Sequence, residues 1–291
     1  MKDVRISRLP TSDGGELALH TYGPQEPDPE RSVAIVCGAF LPAAVYAPFA
    51  VVLRRKLGQD WAVHVHDRRG KGHSSEIPDD YGLHTEIADV ATVLKETGAR
   101  HLLGHSLGGA ITLHAVRHFQ GASPEVVPES TMVYDPAVNL DGSLDTSWLD
   151  DFEQAVDAGH YGRAMDLADR WFGATPTLSK APTWMSAGAL ALSLRTPLRK
   201  IGKAVFPAAV AELSAALRRS ATAEDFAGLP RNFLFVVGER SAEYFHATTE
   251  ALAKAVPGSQ LRVAPHGFHG SIPAVRHDAV GVVADWLTGE D

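Results

Sequence analysis

Gly104-His105-Ser106-Leu107-Gly108-Gly109 places one serine between two glycines at the point where an apolar run gives way to a helical one. Arg100 to Leu103 (RHLL) suits a short buried strand, and Leu107 to Phe119 (LGGAITLHAVRHF) continues in helical register. A serine at so sharp a strand-to-helix turn must take a strained backbone. Its neighbours two positions away must be small enough to let the chain cross itself, as Gly104 and Gly108 are. This layout is a nucleophile elbow. It lifts the Ser106 hydroxyl clear of the sheet, beside a helix N-terminus whose free N–H groups and dipole stabilise negative charge. A GxSxG string alone is expected roughly 0.1 times by chance in a chain of this length, so the remaining segments carry much of the argument.

The surrounding pattern alternates strands and helices, as a parallel sheet with crossover helices requires. Strands are expected at Leu17–Tyr22, Ser32–Cys37, Ala62–His66, Thr131–Tyr134, Phe233–Val237 and Gln260–Val263. Helices are expected from Ala47 to Leu57 and from Glu86 to Thr97, the latter ended by Gly98, and a last one carries Val275, Ala279, Val283 and Trp286. About a hundred residues separate the Thr131 and Phe233 strands, too many for a simple crossover. Their content is helical: one stripe runs through Trp148, Leu149, Phe152 and Val156 and another through Ala164, Leu167, Ala168 and Trp171, with further patches at Met185–Leu194 and Val205–Leu217. The expected organisation is a core of residues 1–139 and 222–291 carrying a helical cap over 140–221.

Composition narrows the function classes. The 291 residues are 45% hydrophobic and 21% charged, which is ordinary for a globular chain. A formal charge of −8 disfavours nonspecific nucleic-acid binding. The first residues, MKDVRISRLPTSDGG, contain no apolar leader, and no run approaches a membrane span, so the expectation is a cytoplasmic protein. The lone Cys37 cannot form an internal disulfide. The fourteen histidines are scattered, with no HExxH, and both GxGxxG and GxxxxGK[ST] are absent, so no metal or cofactor is expected.

Four landmarks in order, VCGAF at 36–40, HDRRGKGHSS at 66–75, GHSLGG at 104–109 and PHGFHG at 265–270, make the chain resemble the α/β-hydrolase superfamily over nearly its whole length outside the cap. The resemblance implies an α/β-hydrolase fold, with a mostly parallel central sheet, flanking helices and the cap inserted after strand 6. It also implies a catalytic triad in the order nucleophile, acid, histidine. The implied nucleophile is Ser106. His269 is the expected base, with His266 as its competitor. Most relatives carry an aspartate just after the seventh strand, where this chain has Ser241, a residue suited to capping the next helix. The acid is therefore sought at Asp135 after strand six, with Glu243 and Glu239 as alternatives. The implied oxyanion donors are the N–H groups of Ala39 and Leu107. The DRRGKG loop is read as a brace near the elbow, and Cys37 as a buried strand-end residue.

These residues imply hydrolysis of a carboxylic ester, thioester or lactone through an acyl-enzyme on Ser106. The alternatives are a ligand-binding module, or lyase, acyltransferase or peroxyacid chemistry on the same triad. The expected partner is a small molecule with an apolar acyl or alcohol part. Trp148, Trp171, Phe172 and Trp184 either line its pocket or form the cap core. Between Lys180 and Arg219 lie Lys180, Arg195, Arg199, Lys200, Lys203, Arg218 and Arg219 against the single acid Glu212, so this edge either is a solvated face or meets an anionic substrate or acidic carrier.

Overall fold

β3 (Ser32–Val36), β4 (Ala62–His66), β6 (Ser130–Tyr134) and β7 (Phe233–Gly238) are buried at every position, as strands covered on both faces must be. The computed structural model, which describes residues 4–172 and 198–290, arranges them in an eight-stranded sheet. Its order is β1 (Val4–Pro10), β2 (Glu16–Tyr22), β4, β3, β5 (His101–His105), β6, β7 and β8 (Gln260–Ala264). The pairings from β4 to β8 are parallel, whereas β1 with β2 and β2 with β4 are antiparallel. This is the expected α/β-hydrolase architecture.

Strand β1 lies outside the sequence expectations. Its Ile6, Ser7 and Arg8 are exposed, Ile6 at 54%, as at the edge of a sheet. The signal that marks it is the TSDGG turn, closed by Thr11 N–H to Gly15 O at 2.9 Å with Gly14 at φ +85°.

Helices α1 (Ala43–Leu57) and α8 (His277–Thr288) cover one face of the sheet, while α2 (Leu83–Thr97), α3 (Leu107–Ala122) and α7 (Glu243–Ala255) pack into the core on the other. Helix α1 begins four residues before the periodicity indicated. Its first N–H, at Ala43, donates to Asp67 Oδ1 at 2.7 Å, so a side chain from another loop caps it. No local residue could signal that cap. α7 likewise starts at Glu243 behind Ala242, and the Ser241 side chain does not cap it.

Between β6 and β7 run α4 (Trp148–Asp157), α5 (Tyr161–Phe172) and α6 (Leu198–Leu217). The chain enters and leaves this insertion at one point: Asp141 N–H donates to Ala221 O at 2.8 Å, and Ala221 N–H to Asn139 O at 2.9 Å. The Met185–Leu194 patch and Trp184 lie outside the described residues. Trp148 stacks on Trp171 at 5.9 Å, and both pack into the core. Among the described residues no helix is long and apolar enough to cross a membrane.

Candidate active site

Ser106 takes φ 58° and ψ −123° between β5 and α3, a conformation that costs a non-glycine residue about 1–3 kcal/mol. The surroundings hold it there. Ser106 N–H donates to Tyr134 O at 3.0 Å, and Ser106 O accepts from Gly109 at 2.8 Å and from Ala137 at 3.0 Å, so the elbow is tied to the end of β6. The glycines are sterically required: a Cβ on Gly104 would lie 2.6 Å from Gly108 O, and one on Gly108 would lie 2.6 Å from Cys37 O.

Asp135 comes directly after β6, is wholly buried and holds φ 45°. Three donors converge on its carboxylate. Gly238 N–H reaches Oδ1 at 3.0 Å, the Ser241 hydroxyl reaches Oδ2 at 2.5 Å, and His269 Nδ1 lies 3.3 Å from the same Oδ2. Ser241 therefore acts as a hydrogen-bond donor to the carboxylate rather than as a helix cap. The alternative acids are elsewhere: Glu239 accepts from His266 N–H at 2.6 Å and pairs with the His266 ring at 3.5 Å, while Glu243 is exposed on α7. His266 is thus turned outward, whereas His269 is buried and stacks on Phe245 with ring centres 4.2 Å apart.

His105 links the parts of the site. Its Nε2 lies 2.8 Å from His269 O, which can only accept, so Nε2 carries the proton and Nδ1 accepts from the Tyr46 hydroxyl at 2.7 Å. Tyr46 Oη in turn accepts from Gly38 N–H at 2.8 Å. Burial, reinforced by the neighbouring His269, lowers the His105 pKa to about 3, so the ring is neutral and purely a connector. His105 and Tyr46 lie outside the residues expected from the sequence. The available signal is a histidine beside Ser106, which has no meaning until its partners are known.

Ser106 and His269 line one cavity of about 260 Å³, walled by Ala39, Phe40 and Leu41 from the turn after β3 and by Met165 and Ala168 from α5. Neither Ala39 nor Leu107 N–H has an acceptor among the described residues. Leu107 is the first residue of α3, where an N–H has no intrahelical partner. A larger cleft of about 430 Å³, around His101, Asn232 and Gln260, lies at the opposite ends of the strands. Ligands of open α/β sheets bind at the carboxyl ends, which favours the Ser106 cavity.

The 66–75 loop is a buried brace. Asp67 accepts from His20 at 3.2 Å, from Ala43 N–H at 2.7 Å and from His73 N–H at 3.1 Å. Burial raises its pKa, but these donors outweigh that and leave it lowered. Arg68 and Arg69 pair with Glu86 and Asp89 at 2.7 and 2.8 Å. Cys37 is fully buried, and burial pushes its thiol pKa up, far from nucleophilic character. Of the basic edge, Lys180 and Arg195 lie outside the described residues, as do the side chains of Arg199, Lys200, Lys203 and Phe172. Arg218 pairs with Asp150 at 2.6 Å, and Glu212 is buried rather than placed on that edge.

A mostly parallel sheet with a serine on a strained turn at its carboxyl end defines a class of α/β enzyme folds. The chain belongs to the alpha/beta hydrolase family, whose model matches residues 33–284. It is similar in structure to an alpha/beta hydrolase from Sphaerobacter thermophilus, with 22% identity, a TM-score of 0.70, and coverage of 97% of this chain and 100% of that one. A bromoperoxidase from Bacillus anthracis (17%, TM-score 0.70, 98% and 100% covered) and an esterase from Exiguobacterium antarcticum (16%, TM-score 0.65, 97% and 99% covered) share the same fold. No curated protein sequence matches the chain.

Proposed function

We propose that the chain is a serine hydrolase that cleaves a carboxylic ester, thioester or lactone with an apolar acyl or alcohol part. The observation that carries this reading is the buried Asp135–His269 pair, at 3.3 Å, whose histidine shares one largely apolar cavity with Ser106. Asp135 holds the proton of His269 on Nδ1 and leaves Nε2 to act as the base. His269 takes the Ser106 proton as Oγ attacks the carbonyl carbon. The carbonyl oxygen gains the negative charge and meets the Ala39 and Leu107 N–H groups, each such donor being worth on the order of 3 kcal/mol. Collapse of the tetrahedral adduct breaks the acyl–oxygen or acyl–sulfur bond, and His269 returns the proton to the leaving group. Water, deprotonated by His269, then frees the acid and restores Ser106.

In this reading α4, α5 and α6 form a cap that roofs the cavity through Met165 and Ala168. Treatment with a fluorophosphonate, with mass spectrometry of the product, tests the assignment. The expected outcome is one adduct on Ser106 that is absent from the Ser106→Ala protein. Folded protein that takes up no phosphonate on Ser106 would leave a ligand-binding module as the better account.

A further inference from the structure

The Gly38–Ala39 peptide unit is gripped from behind by two buried cations. Gly38 O lies 3.3 Å from Arg68 Nη1 and 3.4 Å from Lys71 Nζ. These contacts are long, so the pull is that of charge on dipole more than of tight hydrogen bonds. In a trans peptide the C=O and the next N–H point in opposite directions. Drawing the carbonyl of Gly38 toward the cations therefore turns the N–H of Ala39 away from them. The opposite side is the Ser106 side: a Cβ on Gly38 would sit 3.1 Å from Ser106 Cβ, and Ala39 lines the cavity with an N–H that has no acceptor among the described residues. The same cations withdraw electron density from the amide and sharpen the positive end that the N–H presents.

The position of these cations depends on the insertion. Lys71 Nζ contacts Glu212 Oε1 at 2.7 Å and Oε2 at 2.9 Å, and Glu212 belongs to α6. Arg68 forks onto Glu86 and stands 3.5 Å from the same Glu212. All four side chains are buried, and their formal charges cancel. A buried quartet of this kind is a poor way to gain stability, since apolar residues of the same volume serve as well or better. Its value is then in where it places charge.

We propose that Lys71, anchored by Glu212, is a positioning residue that aims and polarises the Ala39 N–H, so that seating α6 on the core completes the oxyanion site. The assignment rests on the hydrolase reading of Ser106. The test variant is Lys71→Met combined with Glu212→Gln, which removes one charge of each sign and leaves Arg68 paired with Glu86. Turnover is measured on p-nitrophenyl butyrate and on its thionoester, in which sulfur replaces the carbonyl oxygen. Sulfur accepts hydrogen bonds poorly, so the ester-to-thionoester ratio of kcat reports the oxyanion donors alone. Because each donor contributes a factor of about 100 or more, weakening one is expected to cut kcat on the ester by about tenfold or more, with KM nearly unchanged, and to lower the ratio by a similar factor.

A role confined to packing would slow both substrates together, and an unchanged ratio in folded variant overturns the assignment. Should the double variant not fold, Glu212→Gln alone preserves side-chain volume and is expected to lower the ratio by a smaller factor. An unchanged ratio there has the same meaning. Parent protein that takes up no phosphonate at Ser106 overturns the hydrolase reading and this assignment with it. Parent that labels while the variant keeps its ratio overturns this assignment only.

Discussion

Replacing Asp135 with asparagine changes one buried oxygen into an NH2 group, and the surrounding donors dictate how the site responds. Gly238 N–H can only donate, and it points at Oδ1 from 3.0 Å. The asparagine carbonyl must therefore occupy that position, because the reverse orientation would set two donors face to face, at a cost of about 1–3 kcal/mol for the stranded N–H. The new amide N–H then faces Ser241 Oγ, which can rotate to accept, and His269 Nδ1, which lay 3.3 Å from the carboxylate oxygen. His269 relieves that conflict by moving its proton from Nδ1 to Nε2, where it can no longer receive the Ser106 proton. The expected loss in kcat is on the order of ten-thousand-fold, about 5 kcal/mol at the transition state. The melting temperature should change little, since the shape is conserved.

Stopped-flow acylation by p-nitrophenyl butyrate measures this directly. Adding Ser241→Asp to the Asp135→Asn protein should recover part of the lost rate, because that side chain begins beside the same oxygen. Acylation by the Asp135→Asn protein within about tenfold of the parent would refute the reasoning and move the acid away from Asp135.

Other buried polar groups lead to two more expected outcomes. Tyr46→Phe removes the hydroxyl that satisfies both Gly38 N–H and His105 Nδ1; with each group left stranded at about 1–3 kcal/mol, urea titration should show a loss of several kcal/mol, and an unchanged midpoint would contradict the linkage. Burial lowers the pKa values of His64, His66 and His114 to about 4 and that of His105 to about 3, from 6.5. The unfolded chain then binds more protons than the native one below about pH 6.5, so stability is complete above that value and falls as the pH drops toward 4. Each imidazole removes roughly 2 kcal/mol between about pH 7 and pH 5. Asp89, raised by burial to about 6, gains a proton in the native state and returns about 1 kcal/mol. The net loss should be roughly 6 kcal/mol, and an unfolding free energy flat across this range would contradict the account.

The elbow at 104–109 and the order of most strands and helices were legible in the chain itself, because both rest on short-range physics. Glycine tolerance, turn sterics and apolar periodicity act within a few residues. Each member of the proposed triad, Ser106, Asp135 and His269, sits beside such a local marker: a GxSxG turn, the end of TMVY, and the loop after the last strand. Strand β1 escaped because an edge strand with exposed charges lacks an apolar run. The start of α1 escaped because its cap, Asp67, comes from another loop.

The role of Ser241 was settled by tertiary structure. A serine before a helix reads as a cap, and it became the donor to Asp135 because β6 and β7 lie side by side and bring residues 106 positions apart within 2.5 Å. Lys71 and Glu212 are separated by 141 positions, and nothing in either local stretch points to the other. Local sequence sets which conformation each segment can adopt. The role of a polar side chain is decided by the group facing it in a water-poor interior, and only the assembled sheet with its inserted helices brings those groups together.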